Sequence, residues 1–307
     1  MKDNTIVIIT GPTATGKTAL AIEVAKNFNG EIISSDSMQI YKYLDIGTAK
    51  PTIEEQNQVK HHLIDFVEPN SEYSVQQYVA DADKLISNLF KQNKLPIIVG
   101  GTGLYIKSLI YPYSFCSAPK NEKIRNEFKD ILVREGKEYL YNLLKERDFE
   151  ASTKIHCNDT KRVIRALEIN KITGSKKSNL NIEETNLKYN VILIALDIHR
   201  ELLYDRINLR VDKMFEEGLV DEITNVLAKK EVDFNCQSMQ AIGYKEFAKY
   251  FNKEISLAEL KDLIAKNSRN YAKRQITFIK GFKNVKWFNP LEDKKQILEY
   301  IQKEIEF

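Results

Sequence analysis

Short runs of apolar, mostly β-branched residues alternate with longer amphipathic stretches along the chain. The runs that predict strands are TIVIIT (5–10), EIISSD (31–36), HHLIDFV (61–67), PIIVGG (96–101) and VILIALD (191–197), with VKWF (285–288) as a further short strand. Because these runs are largely apolar on both faces, they are typical of a parallel sheet that helices cover on both sides. The alternation predicts a doubly wound α/β core.

Helical periodicity fills the intervals between the strands. Ser74 is a candidate N-cap, and apolar residues follow it at the i, i+3, i+4, i+7 spacing of a helix packed on a sheet. Between the fourth and fifth runs, residues 120–175 are highly charged and helical in pattern. A gap of this size inside a sheet predicts a helical insertion domain at 119–187. The core is then formed by residues 1–118 and 188–307, with a helical C-terminal part.

The composition of the 307 residues is that of an ordinary globular protein, with 43% hydrophobic and 29% charged residues. The longest apolar runs fall far short of the roughly 20 residues that cross a bilayer, and MKDN leads directly into a strand. We therefore expect neither a membrane span nor a signal peptide. Three widely spaced cysteines argue against a disulfide framework and against zinc. These features predict a cytoplasmic protein.

The formal net charge is only +3 at pH 7, but basic residues concentrate at 261–286. Asp262 is the single acidic residue of this segment, and Tyr271, Phe278 and Phe282 are interleaved with the cations. Such a segment is typical of a surface that binds a phosphate-rich partner, although a solvated helix face has the same composition.

Residues 11–18, GPTATGKT, fit the pattern G-x-x-x-x-G-K-[ST] between an apolar strand and an apolar helix. The glycines let the backbone amides point inward, and the helix N-terminus adds partial positive charge. Lys17 would neutralise phosphate oxygens, and the Thr18 hydroxyl is placed to contact Mg²⁺. The core is therefore predicted to be a P-loop NTPase-like doubly wound parallel sheet. By itself the motif favours a nucleotide kinase or an NTPase.

Two further motifs follow predicted strands and so face the same crevice. In SSDSMQIY (34–41), the Asp36 carboxylate can act as a general base, hold metal-bound water or cap a following helix. Gln39 of the same motif adds an amide able to pair with a nucleobase edge. In GGTGLY (100–105), Thr102 places a hydroxyl at the head of a helix, although the glycines also suit a simple strand-to-helix turn.

Two arginines share one face of a helix that is predicted to begin near residue 200. Arg206 and Arg210 are spaced i, i+4. A guanidinium on this face can close over a pyrophosphate from the side opposite Lys17, or it can form a surface ion pair with Asp205 or Glu216.

These motifs belong to a longer series that the chain shares, in order, with tRNA dimethylallyltransferases, also called tRNA isopentenyltransferases. The chain resembles the bacterial type of this family. The series runs from end to end: GPTATGKT (11–18), SSDSMQIYKYLDIGTAKP (34–51), HHLIDFVEPNSEYSV (61–75), IIVGGTGLYIKSL (97–109), IHCNDTKRVIRALEI (155–169), QAIGYKEF (240–247) and AKRQITFIKGF (272–282). The resemblance implies that a dimethylallyl group leaves dimethylallyl pyrophosphate and joins N6 of adenosine 37 in tRNA. It also implies Mg²⁺ as cofactor and a monomeric enzyme.

The resemblance assigns roles to residues of these motifs. Asp36 would take the N6 proton, and Thr102 would hydrogen-bond the bridging oxygen of the leaving pyrophosphate. Lys17, Arg210 and Thr18 with Mg²⁺ would hold the pyrophosphate as negative charge builds on it. The other P-loop residues that would bind it are Gly11, Thr13, Ala14, Thr15 and Gly16.

The target adenine is hidden in the anticodon stack, so the enzyme must extrude it into a pocket with polar edges. Ser37, Met38 and Gln39 would line the site of the flipped base, beside Asp36 and Thr102. The side chains that would grip the anticodon stem-loop are Arg125, Lys161, Arg162, Arg165, Lys273, Arg274, Gln275 and Lys280.

Three other functions compete with prenyl transfer to tRNA. A small-molecule kinase would need a lid with clustered arginines after the P-loop helix, and the sequence has no such cluster there. Prenyl transfer to free AMP would not need the insertion or the basic C-terminal helices, which suit a folded RNA better than a mononucleotide. A non-catalytic RNA-binding module would not need Asp36, Thr102 and an intact P-loop together.

Overall fold

A parallel sheet of six strands is formed by residues that the computed structural model describes, namely 4–112, 121–174, 176 and 186–306. The strands are β1 (Thr5–Thr10), β2 (Gly30–Ser34), β3 (His61–His62), β4 (Leu95–Gly100), β5 (Asn190–Leu196) and β6 (Lys286–Phe288). They lie in the order β3-β2-β4-β1-β5-β6, and every neighbouring pair is parallel. The predicted α/β sheet is thereby confirmed.

The ends of β1, β4 and β5 lie within one residue of the predicted ones, whereas the prediction for β3 is wrong over most of its length. The strand predicted at 61–67 ends after its second residue because Leu63 and Asp65 adopt left-handed conformations, with φ of 57° and 56°. An extended strand does not continue through such residues. Val67 instead forms an isolated bridge with Tyr41, so the segment after β3 runs beside the turn that follows β2.

Helices fill the intervals between the strands. In chain order they are α1 (Lys17–Asn27), α2 (Ile53–Gln58), α3 (Val75–Lys91), α4 (Gly103–Ile110), α5 (Glu122–Arg147), α6 (Phe149–Lys154), α7 (Thr160–Thr173), α8 (Arg200–Glu216), α9 (Leu219–Leu227), α10 (Phe247–Phe251), α11 (Leu257–Ile279) and α12 (Lys294–Glu306). Ser74 caps α3 in a capping box with Gln77, as predicted, and Ser256 caps α11 in the same way with Glu259.

One face of the sheet packs against α1 and α12, through a cluster that includes Ile9 and Ile194. Residues that point to the other face, such as Ile8, are fully buried as well, as expected for a sheet covered on both sides. The end of β1 is tied to the end of β4, because Thr10 Oγ1 donates to the Gly100 carbonyl oxygen at 3.0 Å. The turns that follow these two strands therefore start side by side.

The chain divides into two compact units, one formed by 1–110 with 187–307 and one by 111–186. The smaller unit contains α5, α6 and α7, packed around a core that includes Phe128, Leu144 and Leu167. Gly136, with a φ of 86°, bends α5 into two helical segments. Over the described ranges of both units, no helix combines the length and the apolar character that crossing a membrane requires.

Candidate active site

The P-loop between β1 and α1 is held in shape by its own contacts. Gly16, with a φ of 84°, precedes the first turn of α1. A Cβ at Gly11 would lie 2.7 Å from the Leu196 carbonyl oxygen, so only glycine allows this close approach. Thr15 Oγ1 donates to the Pro12 carbonyl oxygen at 2.9 Å. The loop is therefore preformed at the N-terminus of a helix, which is a favourable place for an anion.

Two cations lie at this loop. Lys17 Nζ donates to the Pro12 carbonyl oxygen at 2.8 Å, and Arg210 Nη1 donates to Thr13 Oγ1 at 3.1 Å. Burial and the charge of Arg210 lower the pKa of Lys17 to about 8, against the opposing effect of Asp36. Burial also lowers the pKa of Arg210. Because two half-buried cations close together are unfavourable without an anion, the electrostatics of the loop favour a phosphate or pyrophosphate.

The turn after β2 brings Asp36 to the same edge of the sheet. Asp36 Oδ1 accepts from the backbone amides of Met38 and Gln39 at 2.8 and 3.3 Å, so the carboxylate caps a turn rather than the helix considered above. Thr102 precedes α4, and its Oγ1 accepts from the Ser37 amide at 3.1 Å. The two motifs that carry Asp36 and Thr102 are thus hydrogen-bonded to each other.

A cavity of about 310 Å³ is bordered by the P-loop, the turn after β2, α8 and α11. Its polar lining includes Thr13, Asp36, Ser37, Arg210, Tyr271 and Arg274. Its apolar lining includes Met38, Ile207, Val211, Met214 and Ile264. A cavity with this mixed lining suits a small ligand that has an apolar group as well as charged and hydrogen-bonding parts.

Tyr271 lines the cavity, although the sequence assigned it no role there. Burial and the negative charge of Asp36 raise the pKa of Tyr271 to about 12, while hydrogen bonds with Thr102 and Gln275 oppose this shift. The phenol is therefore protonated at neutral pH and can donate a hydrogen bond in the cavity. Its signal in the sequence is the i, i+3 spacing from Arg274, which places both side chains on one side of α11.

Gln275, for which the sequence predicts a contact with tRNA, lies in the interior of the structure. The residue is only 6% exposed, its Oε1 accepts from the Thr13 amide at 2.9 Å, and its Nε2 donates to the Gly101 carbonyl oxygen at 3.1 Å. A buried amide with both groups engaged has no free edge for RNA. Gln39 is also engaged, because its Nε2 donates to the Ala49 carbonyl oxygen at 3.0 Å and so supports a neighbouring loop.

Glu222, at the start of α9, holds the loop that contains residues 45–49. It belongs to none of the motifs from which the sequence predicts the site. Its Oε2 accepts from the backbone amides of Asp45 and Ile46 at 2.8 and 2.7 Å. Its Oε1 accepts from the Gly47 amide at 3.2 Å and from the Tyr244 hydroxyl at 2.6 Å. Gly47 lines the cavity, so one carboxylate on α9 fixes part of the cavity wall.

The predicted RNA-binding residues of the smaller unit fall into two pairs. Arg125 Nε and Arg165 Nη1 donate to Oε2 of the fully buried Glu168 at 2.9 and 2.8 Å. The Arg125 bond connects α5 to α7, whereas the Arg165 bond lies within α7. Lys161 and Arg162 are exposed in the first turn of α7.

Lys273 and Lys280 line a separate, larger depression of about 920 Å³, here called the outer groove, together with Arg200, Tyr204 and Trp287. The Tyr204 ring centroid lies 5.2 Å from the Arg200 guanidinium carbon and 6.0 Å from Lys273 Nζ. Cations beside aromatic rings suit a strand of nucleic acid, whose phosphates and bases they can bind.

Comparisons with known proteins identify the family. The model of the IPP transferase family matches residues 39–282. A tRNA dimethylallyltransferase of Thermoanaerobacter sp. (strain X514) is 48% identical, over 98% of this chain and 99% of its own. The tRNA dimethylallyltransferase of Bacillus licheniformis is 47% identical over 98% of each chain.

Solved structures give the same result. The tRNA isopentenylpyrophosphate transferase of Bacillus halodurans is 41% identical, with a TM-score of 0.74, and the match covers 99% of this chain and 97% of that one. A eukaryotic dimethylallyltransferase, studied as it acts on tRNA, is 30% identical, with a TM-score of 0.80 over 97% of this chain and 78% of its own. With a P-loop fold, a matching family model and relatives that align along almost the whole sequence, this chain belongs to the IPP transferase family.

Proposed function

We propose that the protein transfers a dimethylallyl group from dimethylallyl pyrophosphate to N6 of adenosine 37 in tRNA. The observation that carries this function is a shared cavity: Arg210 of the anion site, the Asp36 carboxylate and an apolar wall all line one space of about 310 Å³. The donor has a pyrophosphate and a branched apolar group, and the acceptor has an amino proton that must be removed. The cavity offers a partner to each of these three groups.

The pyrophosphate would bind at the P-loop. Lys17, Arg210 and the amides at the start of α1 would hold it, while Ile207 and Met214 would receive the dimethylallyl group. As the carbon–oxygen bond breaks, negative charge moves onto the leaving pyrophosphate. Cations and amides that are already in place stabilise that charge in the transition state. We assign the Thr102 hydroxyl to the bridging oxygen of the leaving group.

The adenine would react on the Asp36 side of the cavity. Its N6 forms the new carbon–nitrogen bond as the pyrophosphate leaves, and Asp36 takes the proton. Because Oδ1 already caps the turn through the Met38 and Gln39 amides, we assign Oδ2 as the proton acceptor. The base must leave the anticodon stack to reach this position, and Ser37, Met38 and Arg274 would line its site.

Each unit would supply cations to the anticodon stem-loop. In the larger unit these are Arg274 in the cavity with Lys273 and Lys280 in the outer groove. In the smaller unit, which we propose acts as the tRNA-contacting insertion domain predicted at 119–187, they are Lys161, Arg162, Arg125 and Arg165. A tRNA substrate implies a cytoplasmic enzyme, which we propose acts as a monomer.

Mg²⁺ is the metal that suits this site. Among the residues that the structure describes, no three His, Cys, Asp or Glu side chains are grouped so that they could hold a metal ion. The Thr18 hydroxyl, a hard oxygen ligand at the start of α1, would hold the ion beside the bound pyrophosphate. When bound, the ion would neutralise charge on the leaving group.

The test is a transfer assay with labelled dimethylallyl pyrophosphate, unmodified tRNA and Mg²⁺. We expect labelled tRNA from the wild-type protein and almost none from Lys17→Ala. Lys295→Ala, which removes an 89% exposed lysine on α12, serves as the matched control and should label tRNA normally. Parallel reactions contain AMP as acceptor, or ATP with a small acceptor. Labelled AMP or phosphoryl transfer, with tRNA left unlabelled, would contradict the proposal.

A further inference from the structure

The side-chain amide of Gln275 joins the two turns that would surround the leaving group. We propose that Gln275 is a positioning residue that sets the separation between the P-loop and the turn that carries Thr102. This inference rests on the proposed function. It means that α11, through Gln275, helps to shape the site that would bind dimethylallyl pyrophosphate. It replaces the RNA contact that the sequence suggested for Gln275.

The two hydrogen bonds use opposite ends of the amide. The carbonyl oxygen of Gln275 accepts from Thr13 of the P-loop, 262 positions away, and its amino group donates to Gly101, 174 positions away. Rotating the amide by half a turn would set donor against donor at Thr13 and acceptor against acceptor at Gly101. A side chain that is 6% exposed has little water to replace a lost partner, so the orientation is fixed.

The absence of a side chain at Gly101 makes room for the Gln275 amide. A Cβ added at Gly101 would lie 2.0 Å from Gln275 Nε2, a distance that no pair of such atoms tolerates. Unlike Gly11, Gly101 does not have a left-handed backbone, so its lack of a side chain provides space rather than conformational freedom. Gly101 and Gln275 therefore form a complementary pair across the two turns.

Thr13 is bound by protein groups on both sides. Its amide donates to Gln275, and its hydroxyl accepts from Arg210. The position of the Arg210 guanidinium, which would clamp the pyrophosphate, therefore depends on a residue that Gln275 holds. Loss of the two Gln275 hydrogen bonds should weaken the binding of dimethylallyl pyrophosphate and slow its reaction. The exposed cations that would bind RNA should stay in place.

The experiment compares Gln275→Glu, Gln275→Ala, Gly101→Ala and the double variant Gly101→Ala/Gln275→Ala with the wild-type protein. Gln275→Glu keeps the shape and the acceptor but loses the donor to Gly101. The measurements are the Kd of inorganic pyrophosphate by calorimetry, kcat and KM for dimethylallyl pyrophosphate, and the Kd of tRNA at several salt concentrations. Gln302→Glu, which adds the same charge at an exposed position of α12, is the control.

We expect Gln275→Glu to weaken pyrophosphate binding by about 10- to 100-fold, the range for a buried group left without its partner. The KM for the donor should rise in parallel, and the Kd of tRNA and its salt dependence should stay at wild-type values. Gly101→Ala should cause a similar defect because of the clash with Gln275. The double variant removes that clash, so its loss should be smaller than the product of the two single losses.

Two results would overturn the inference. One is a Gln275→Glu protein that binds pyrophosphate normally but binds tRNA more weakly and with a shallower salt slope, as an RNA contact would. The other is full multiplication of the two single losses in the double variant, which remains informative if Gln275→Glu does not fold. A wild-type protein that binds no pyrophosphate would contradict the proposed function itself, which separates that failure from a failure of the inference.

Discussion

The ammonium group of Lys17 lies 2.8 Å from the carbonyl oxygen of Pro12, within the loop that would bind the pyrophosphate. The charge is thus already directed into the P-loop by the protein. Arg210 and Asp36 act on the same ammonium group with opposite sign, and burial outweighs both. The protonation of Lys17 therefore depends on its burial and on both of these neighbouring charges.

The pKa of about 8 for Lys17 predicts that pyrophosphate affinity depends on pH. Binding needs the protonated form, so Lys17 should add no pH dependence well below pH 8 and should weaken binding by about tenfold per pH unit above it. Calorimetry between about pH 6.5 and 9.5 measures this dependence. Lys17→Arg keeps its charge over the whole range. The ratio of the two affinities therefore removes the titration of pyrophosphate itself, and a constant ratio would contradict the prediction.

Replacing Asp36 with Asn separates its two roles. The Asn Oδ1 can still accept from the Met38 amide, so the turn should persist, but the side chain can no longer take a proton. We expect kcat to fall by about 10²–10⁴-fold, the usual contribution of a general base, with little change in tRNA affinity. Single-turnover transfer assays and filter binding give the two numbers. Near-normal turnover would exclude Asp36 as the base.

Arg274 should contribute a phosphate contact to RNA binding. It lines the cavity on a helix whose neighbouring Lys273 lines the outer groove. Arg274→Ala should weaken tRNA binding and reduce the slope of log Kd against log salt by about one unit. Lys295→Ala removes the same charge from α12 and is the matched control. If both variants show the wild-type slope, Arg274 is not part of the RNA interface.

Glu222→Gln should loosen the loop at residues 45–47. A glutamine places an amino group against backbone amides that need an acceptor, so at least one of these amides loses its partner. We expect unfolding free energy to fall by about 1–3 kcal/mol, measured by denaturant titration. Tyr244→Phe removes one donor and leaves the carboxylate with its three amides, so it should cost less. Equal stability of Glu222→Gln and wild type would show that the loop does not depend on this carboxylate.

The sequence predicts those features that neighbouring residues determine. The apolar runs give β1, β4 and β5 almost to the residue, and the glycine spacing gives the P-loop. The end of β3 is not predictable in the same way. It is set by left-handed conformations at Leu63 and Asp65, and neither position has a glycine or an asparagine that would indicate such a conformation. Local pattern is informative only where local sterics decide the conformation.

The long-range contacts of the site show the opposite case. Gln275 sits in a basic segment and is assigned to the RNA interface by the family resemblance, but its hydrogen-bond partners are 174 and 262 positions away. Glu222 contacts amides 175–177 positions away and lies in none of the motifs used to predict the site. Which side chain meets which turn depends on how helices pack on the sheet, and that information is not contained in any single segment.

The backbone amide of Lys188, just before β5 begins, donates at 2.9 Å to the carbonyl oxygen of Ile110, the last residue of α4. The chain therefore leaves the larger unit and re-enters it at a single joint. We therefore expect that a change in the length of the chain between these residues leaves the register of β5 against β1 as it is. Such a connection makes the strand register, on which the chemistry depends, independent of the inserted residues.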